Sequence, residues 1–132
     1  MRYMLDTNIC IELIRGRGER LLKKIKALQV SDIGLSVITY AELELGVWKS
    51  TRPEQNRIAL NLFCAPLELA PFEFDAAAVY GRLRAQLEGA GKVIGPMDLL
   101  IAAHALALNC VLITNNEREF RRVEGLCVEN WL

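Results

Sequence analysis

Acids or amides stand at four places in the chain where a helix is predicted to begin. Three are the carboxylates Asp6, Glu42 and Asp98, and the fourth is the segment TNNEREF at positions 114–120. In open α/β sheets, functional side chains gather where strands end and helices start. Carboxylate and amide oxygens suit Mg²⁺ or Mn²⁺ and do not suit zinc. The pattern therefore indicates a site for a hard divalent cation at one edge of a sheet.

Most of these positions also have an ordinary explanation as part of a helix start. Asp6 would make a good N-cap, because its side chain can accept a hydrogen bond from the backbone of the first turn. Thr39 to Glu42 and Thr114 to Glu117 both match the capping-box pattern S/T-x-x-E. At these positions the residue types leave capping and metal binding open.

The helix-start explanation is weakest for Asp98. An acid that follows Gly95 and Pro96 would favour the helix dipole. The next ten residues, however, are apolar except for His104, which predicts a buried helix. A carboxylate at its mouth needs hydrogen bonds or a compensating charge, and a divalent cation would provide both. We interpret His104, the only histidine, as a partly buried structural residue.

Glu44 competes with Glu42 for the same site. An apolar stripe is predicted on the helix that carries both, and the two acids flank it on opposite sides. The stripe consists of Ile38, Ala41, Leu45 and Trp48. Only one of the two carboxylates can share a site with Asp6, and periodicity does not choose between them.

Short apolar runs alternate along the chain with longer segments of helical periodicity. Strands are predicted at 2–5, 33–36, 67–69, 110–114 and 126–130, and helices at 6–14, 19–28, 37–50, 53–64, 74–91, 96–109 and 116–122. Strands that alternate with helices favour a parallel sheet covered on both faces. We expect a three-layer α/β/α domain with a short, mostly parallel central sheet of four to five strands.

Length and composition limit the class of protein. With 132 residues, 52% of them hydrophobic, the chain is expected to form one domain over residues 1–132. No apolar segment reaches the roughly 20 residues that cross a bilayer, and no secretion signal is recognisable, so we expect a soluble, cytoplasmic protein. The four cysteines include no C-x2-C pair and are expected to be buried free thiols.

Charge is unevenly distributed, although the formal net charge is zero. Residues 1–26 hold seven basic side chains against three acids, whereas the remainder holds nine basic and thirteen acidic residues. Such a basic stretch could guide a phosphate backbone towards a cation-loaded pocket. The alternative is the solvated face of an amphipathic helix.

Four segments together resemble the PIN-domain proteins, and more closely the VapC-type toxins of bacterial type II VapBC toxin–antitoxin pairs. They are MLDTN with Asp6, ITYAELELG with Glu42, GPMDLLIAAHA with Asp98, and TNNEREF followed by a C-terminal ENW. The resemblance covers essentially the whole chain and implies a PIN-like α/β/α fold.

The resemblance also implies that Asp6, Glu42 and Asp98 form the acidic metal cluster, which would select Glu42 over Glu44. Many PIN domains carry Asp where this chain has Asn116. An amide oxygen is a weaker, neutral ligand, so a second metal ion would bind poorly there. The implied departure leaves Glu119, one helical turn further on, as a substitute fourth acid in the catalytic set.

Members of this family are Mg²⁺-dependent endoribonucleases, and the similar VapC subtype cuts tRNA, in particular initiator tRNA in its anticodon loop. The resemblance implies that metal-activated water attacks a phosphodiester and leaves 5′-phosphate and 3′-hydroxyl ends, with Mn²⁺ as a substitute metal. Thr7 and Asn8 would orient the first carboxylate or its waters, and Thr114, Asn115 and Asn116 would hold the scissile phosphate.

Three kinds of partner follow from the same resemblance. A VapB-type antitoxin would lay its C-terminal segment across the toxin and place an arginine among the carboxylates. A homodimer through apolar helix faces is usual for the family, and Trp48 and Phe63 would contribute to it. The RNA would be gripped by basic side chains, for which the candidates are Arg15, Arg17, Arg20, Lys23, Lys24, Lys49 and Arg52.

Two other functions fit parts of the pattern. A haloacid-dehalogenase-like phosphatase also places an Asp after its first strand, but it requires D-x-D, and here the second acid is replaced by Asn8. A non-catalytic PIN-like scaffold that binds RNA or a partner would usually have lost one of the three acids, all of which are present. The endoribonuclease is the favoured hypothesis.

Overall fold

The computed structural model describes all residues from 1 to 132 and contains one five-stranded sheet. All neighbouring strands are parallel, and they are β1 (Tyr3–Leu5), β2 (Ile33–Ser36), β3 (Glu68–Ala70), β4 (Val111–Ile113) and β5 (Val128–Glu129). The helices and strands alternate as predicted. The expected α/β/α architecture with a parallel sheet is confirmed.

Seven α-helices connect and cover the strands. They are α1 (Thr7–Ile14), α2 (Glu19–Lys26), α3 (Val37–Lys49), α4 (Pro53–Cys64), α5 (Phe74–Gly89), α6 (Pro96–Ala107) and α7 (Glu117–Phe120). A 3₁₀ turn at Val30–Asp32 leads into β2. None of these helices has both the length and the apolar character that a membrane span requires.

The sheet separates two hydrophobic cores. Successive side chains of a strand point to opposite faces, so in β1 Met4 enters one core and Leu5 the other. Residues of α5, α6 and α7 fill the first core, and residues of α1 to α4 fill the second. Half of the residues of α6 are buried, as its apolar sequence predicts. These two cores hold the helix starts rigidly against one edge of the sheet.

The strand order is β3-β2-β1-β4-β5. From β1 the chain builds outward through β2 and β3, and then crosses back to add β4 and β5 on the other side. The carboxyl end of β1 therefore lies where the strand order reverses, the point at which open α/β sheets bind ligands. Asp6, the next residue, is fixed there because its N–H donates to the Ile113 carbonyl of β4 at 3.0 Å.

Both capping-box interpretations are wrong. The N-cap of α3 is Ser36, whose Oγ accepts from the Ile38 N–H at 3.0 Å, while Thr39 is buried inside the helix. The N-cap of α7 is Asn116 and not Thr114. In α3 the helix starts immediately after β2 without an intervening loop, so the last strand residue supplies the cap.

The buried face of α3 also differs from the predicted apolar stripe. Leu45 and Trp48 belong to that stripe, yet they are 58% and 76% exposed. The buried side chains are Thr39, Leu43 and Val47. Because α3 is apolar on two sides, its periodicity does not determine which side meets the sheet.

The cysteines follow the prediction only in part. Cys10 and Cys110 are buried free thiols, whereas Cys64 is half-buried and Cys127 is exposed. The prediction is wrong for Cys127 because it precedes β5, a two-residue strand at the edge of the sheet, where little covers the chain.

His104 lies in the interior, and it is fully buried where partial burial was expected. Its Nδ1 is 2.7 Å from Ser36 Oγ, and its ring packs edge-on against Phe72. Burial lowers the pKa of His104. These contacts give the side chain a structural role that links α6 to the start of α3.

Candidate active site

Asp6 combines the two roles that its sequence position left open. As the N-cap of α1, its Oδ1 accepts from the Ile9 N–H at 3.2 Å. Its Oδ2 accepts from the Thr114 hydroxyl, which reaches it from the end of β4. Burial raises the pKa of Asp6, and the hydrogen bonds from Thr114 and Ile9 oppose that rise. The carboxylate is 4% exposed and therefore held in one orientation at the switch point.

Glu42 lies on the side of α3 that faces the start of α1. Its Oε1 accepts from the Thr7 hydroxyl at 2.5 Å. Glu44 points elsewhere, because both of its oxygens bind the Arg57 guanidinium, at 2.5 and 2.6 Å. Arg57 and the Tyr40 hydroxyl lower the pKa of Glu44 to about 2. Glu42 therefore lies in the region of Asp6, whereas Glu44 is bound to Arg57 of α4.

Asp98 stands in the first turn of α6 and is half-buried. Its carboxylate accepts no hydrogen bond and forms no ion pair. Burial, together with the nearby charges of Glu119, Asp6 and Glu42, raises the pKa of Asp98 to about 6. The compensation that a buried-helix carboxylate requires is therefore absent from the protein itself.

Glu119 reaches this region from α7. Its Oε1 accepts from the Gly95 N–H at 2.7 Å, and its Oε2 accepts from the Asn116 side-chain amide at 2.8 Å. These two hydrogen bonds lower the pKa of Glu119. A Cβ built on Gly95 would lie 3.7 Å from Glu119 Oε1 and 3.9 Å from Asp98 Oδ2, so the two carboxylates flank the same glycine.

Asn116 acts here as a donor to a carboxylate. Its Nδ2 is committed to Glu119, and its backbone N–H donates to the Thr114 hydroxyl at 2.9 Å. Asn116 thus positions Glu119 through its side-chain amide. Gly95 was not singled out from the sequence, because a contact made by a backbone N–H leaves no signal in residue type.

The four carboxylates form an electronegative region in which no acid is neutralised by a salt bridge. None of Asp6, Glu42, Asp98 and Glu119 forms a salt bridge. In these side-chain positions, no three of them are close enough together to hold one ion. Mutual repulsion of unpaired carboxylates favours such separation. The all-oxygen donor set and the uncompensated Asp98 fit a hard divalent cation, which would draw the side chains together.

The remaining polar candidates divide into buried and exposed positions. Thr114 is fully buried with its hydroxyl committed to Asp6 and Asn116, so it orients the acid and does not reach a phosphate. Thr7 contacts Glu42, where an interaction with Asp6 was expected. Asn8 and Asn115 are exposed beside the acids and form no side-chain hydrogen bond.

Of the seven basic candidates, only Arg15 is brought beside one of the acids. It lines a groove between α1, α3 and α4 together with Glu42 and apolar residues such as Leu43 and Leu60. Lys49 lies two helical turns beyond Glu42, about 10 Å along α3. Arg52 precedes α4 on a separate exposed surface.

The other four basic candidates make contacts around α2. Their partners are Glu12 for Arg17 at 2.9 Å, the Leu132 carbonyl for Arg20 at 3.4 Å, Glu19 for Lys23 at 3.9 Å, and the Trp131 ring for Lys24 at 5.5 Å. None of these partners belongs to the acidic region. The α2 side chains therefore behave largely as the solvated helix face that was the alternative explanation.

Comparison with known proteins agrees with the fold. The PIN domain family matches residues 3–126. The chain is 44% identical to Ribonuclease VapC2 of Rickettsia felis over 99% of the chain and 98% of that protein. It is 38% identical to the tRNA(fMet)-specific endonuclease VapC of Salmonella typhimurium, over 99% and 98%. The crystal structure of VapBC2 from Rickettsia felis bound to a DNA fragment from their promoter contains a chain with a TM-score of 0.94, 42% identity and full coverage of both chains. The chain therefore belongs to the PIN domain family, and within it to the group of the VapC ribonucleases.

Proposed function

We propose that the protein is a Mg²⁺-dependent endoribonuclease toxin that cuts tRNA and is inhibited by a VapB-type antitoxin. The observation that carries the proposal is the carboxylate of Asp98. It is half-buried, it has no hydrogen-bond or ionic partner, and the charges of Asp6, Glu42 and Glu119 act on it. An unpaired acid among other acids costs stability unless a cation compensates it. Nuclease relatives that match the full length support the same function.

Different residues of the chain would have different roles in the reaction. Asp6, Glu42 and Asp98 would hold Mg²⁺ or Mn²⁺, and Glu119 would serve as the fourth acid. A metal ion held by these residues would supply Lewis acidity for the activation of water and would offset negative charge at the phosphate. Thr114 keeps Asp6 in orientation, and Thr7 does the same for Glu42. Such contacts fix the direction in which a carboxylate presents its oxygens.

The recessed position of Asp6 supports single-stranded loop RNA as the substrate. At 4% exposure it is out of reach for a phosphate inside a regular duplex, whereas splayed loop nucleotides can enter a cleft. Full-length similarity to an endonuclease named as tRNA(fMet)-specific supports the anticodon loop of initiator tRNA in particular. Because water is the nucleophile, the products would carry 5′-phosphate and 3′-hydroxyl ends.

The groove between α1, α3 and α4 supports the antitoxin as a partner. Six of its ten lining residues are hydrophobic, and Glu42 and Arg15 stand at its edge. An apolar segment with one arginine would fill the groove and pair its guanidinium with the carboxylates. Similar chains are found in solved VapBC complexes, which supports this assignment.

A homodimer through the outer faces of α3 and α4 is a further part of the proposal. These faces expose Leu45, Trp48, Ile58 and Leu62 by 58%, 76%, 61% and 72%. Adjacent large apolar side chains on a surface mark a protein interface. Phe63 is half-buried and packs on the second core, so its contribution would be smaller than that of Trp48. Light scattering of the wild-type protein and a Trp48→Ser variant would measure their oligomeric states.

The deciding experiment incubates the purified chain with total tRNA, in Mg²⁺ and in EDTA, and sequences the ends. We expect cleavage in a single-stranded loop that EDTA and the Asp98→Asn substitution both abolish. Cleavage that persists in EDTA and in the Asp98→Asn variant would exclude metal-assisted hydrolysis as the mechanism. If the wild-type protein binds RNA but cuts none of it, the non-catalytic scaffold is the better description.

A further inference from the structure

A basic surface adjoins the part of the acidic region that contains Glu119, and it shares no lining residue with the groove of Glu42. It is formed by Lys92 in the loop after α5 and by Arg118, Arg121 and Arg122 on α7 and its C-terminal end. Together with Gly91 these residues line a shallow depression that has no hydrophobic member. We call it the α7 basic patch. Glu117 and Glu119 lie among its arginines in the segment EREFRR, so residue type alone does not mark a basic surface here.

Two hydrogen bonds connect the loop that carries Lys92 to α7 and its C-terminal end. Arg122 Nη1 donates to the Val93 carbonyl at 2.9 Å, and the Gly95 N–H donates to Glu119 Oε1 at 2.7 Å. The loop that carries Lys92 is therefore fastened to α7 at two points, and it runs directly into the helix that carries Asp98. The backbone that carries Lys92 is thus positioned next to α7, which carries Glu119.

Part of the positive charge of the patch is not paired with acidic groups of the protein. Lys92 and Arg118 are exposed and form no salt bridge or side-chain hydrogen bond. Arg121 pairs with Glu117 at 3.0 Å in an exposed i,i+4 contact, which contributes little and is readily exchanged. By contrast, Arg17 between α1 and α2 is paired with Glu12, and Lys23 of α2 is paired with Glu19.

We propose that the α7 basic patch binds the phosphates that flank the scissile phosphodiester and so sets the path of the RNA strand across the site. This inference rests on the proposed ribonuclease function. A single strand that enters a carboxylate-rich region must have its neighbouring phosphates neutralised, and a basic groove that tracks the backbone does this. Arginine also stacks on unpaired bases, so three arginines suit loop nucleotides.

An acidic polypeptide is the competing occupant. Protein interfaces have an apolar centre, and the patch has none. The apolar groove that suits a polypeptide lies elsewhere, between α1, α3 and α4. The phosphate backbone is therefore the occupant that the chemistry of the patch favours.

The test measures the binding of a fluorescein-labelled RNA stem-loop with an unpaired loop over a range of salt concentrations. All proteins carry Asp98→Asn, so that the RNA is not cleaved during the measurement. The patch variant is Lys92→Gln with Arg118→Gln. The control is Lys26→Gln with Arg82→Gln, which removes one lysine and one arginine that are likewise exposed and without ion pairs. We expect the patch variant to weaken binding about tenfold and to reduce the slope of log K against log salt by about 1.4, whereas the control changes neither.

Each other outcome overturns the inference. Equal effects of the patch and control variants would show that the patch makes no specific contact. Loss of affinity for a VapB-derived peptide, with RNA affinity unchanged, would assign the patch to the polypeptide. If the wild-type chain neither cuts nor binds RNA, the proposed function itself fails, and this is distinguished by the tRNA cleavage assay. Charge reversal to Glu at both positions should enlarge the loss, and circular dichroism checks that each variant is folded.

Discussion

The Thr7 hydroxyl donates a hydrogen bond of 2.5 Å to Glu42 Oε1 and joins the first turn of α1 to the second turn of α3. The two residues are 35 positions apart in the chain. This contact holds Glu42, and not Glu44, near Asp6, the acid that follows β1. Together with the contact from Thr114 to Asp6, it orients two of the candidate site carboxylates by threonine hydroxyl groups.

Replacing Thr7 by Val should leave Glu42 without its orienting hydrogen bond. We expect tRNA cleavage and Mn²⁺ affinity to fall about 10- to 100-fold, with little change in folding, because contacts of this kind position a ligand and do not bind the metal. Thr7→Ser keeps the hydroxyl and should restore both. Isothermal titration with Mn²⁺ and a cleavage time course measure the effects, and a Val variant with wild-type affinity would contradict the prediction.

Thr114→Val should destabilise the fold. Asp6 is 4% exposed, so removal of the donor leaves a buried carboxylate oxygen without its partner. We expect the free energy of unfolding to drop by about 1 to 3 kcal/mol. Urea denaturation in EDTA provides the measurement, and Thr114→Ser is the matched variant that should retain most of the stability. Equal stability of the Val and wild-type proteins would count against the contact.

Asp98→Asn should stabilise the metal-free protein while abolishing cleavage. The folded pKa of Asp98 is about 6, above its ordinary value of 3.8, so the folded state binds this proton more tightly than the unfolded state does. Its stabilising contribution is present below pH 4 and is lost as the pH rises to about 6. At pH 7 in EDTA we expect the amide to add about 1 kcal/mol, after allowance for solvent screening at a half-exposed group.

Thermal unfolding of both proteins between pH 4.5 and pH 7.5 tests this sign. The difference in stability between the Asn variant and wild type should grow as the pH rises. His104, whose pKa is lowered, contributes the opposite slope, but it is common to both proteins and cancels in the difference. A stability difference that does not change with pH would show that folding does not raise the pKa of Asp98. Saturating Mg²⁺ should reverse the order of stability.

Asn116→Asp should strengthen metal binding and weaken the metal-free fold. The substitution removes the amide donor to Glu119 and places a second carboxylate against it. We expect a loss of about 1 to 2 kcal/mol in EDTA and a gain in Mg²⁺ affinity, because two facing acids need a cation. Asn115→Asp is the control, since Asn115 is exposed and has no side-chain partner. Mg²⁺ titrations monitored by thermal unfolding compare the two, and identical responses would remove Glu119 from the site.

The order of strands and helices, and the positions of the acids at helix starts, follow from the amino-acid sequence alone. Apolar periodicity, strand length and the breaks at glycine and proline act over a few residues, so they can be recognised locally. The buried character of α6 and the exceptional position of Asp98 at its mouth belong to this class. Family resemblance added the selection of Glu42 and the question raised by Asn116.

Only the tertiary structure decided which side chains meet. The selection of Glu42 depends on Thr7, the diversion of Glu44 on Arg57, and the position of Glu119 on a backbone N–H at residue 95. α3 carries apolar residues on two sides, and the packing of the sheet chose the side with Leu43 and Val47. The three hydrogen bonds behind these outcomes join residues 13 to 35 positions apart, and no local pattern of hydrophobicity or propensity contains that information.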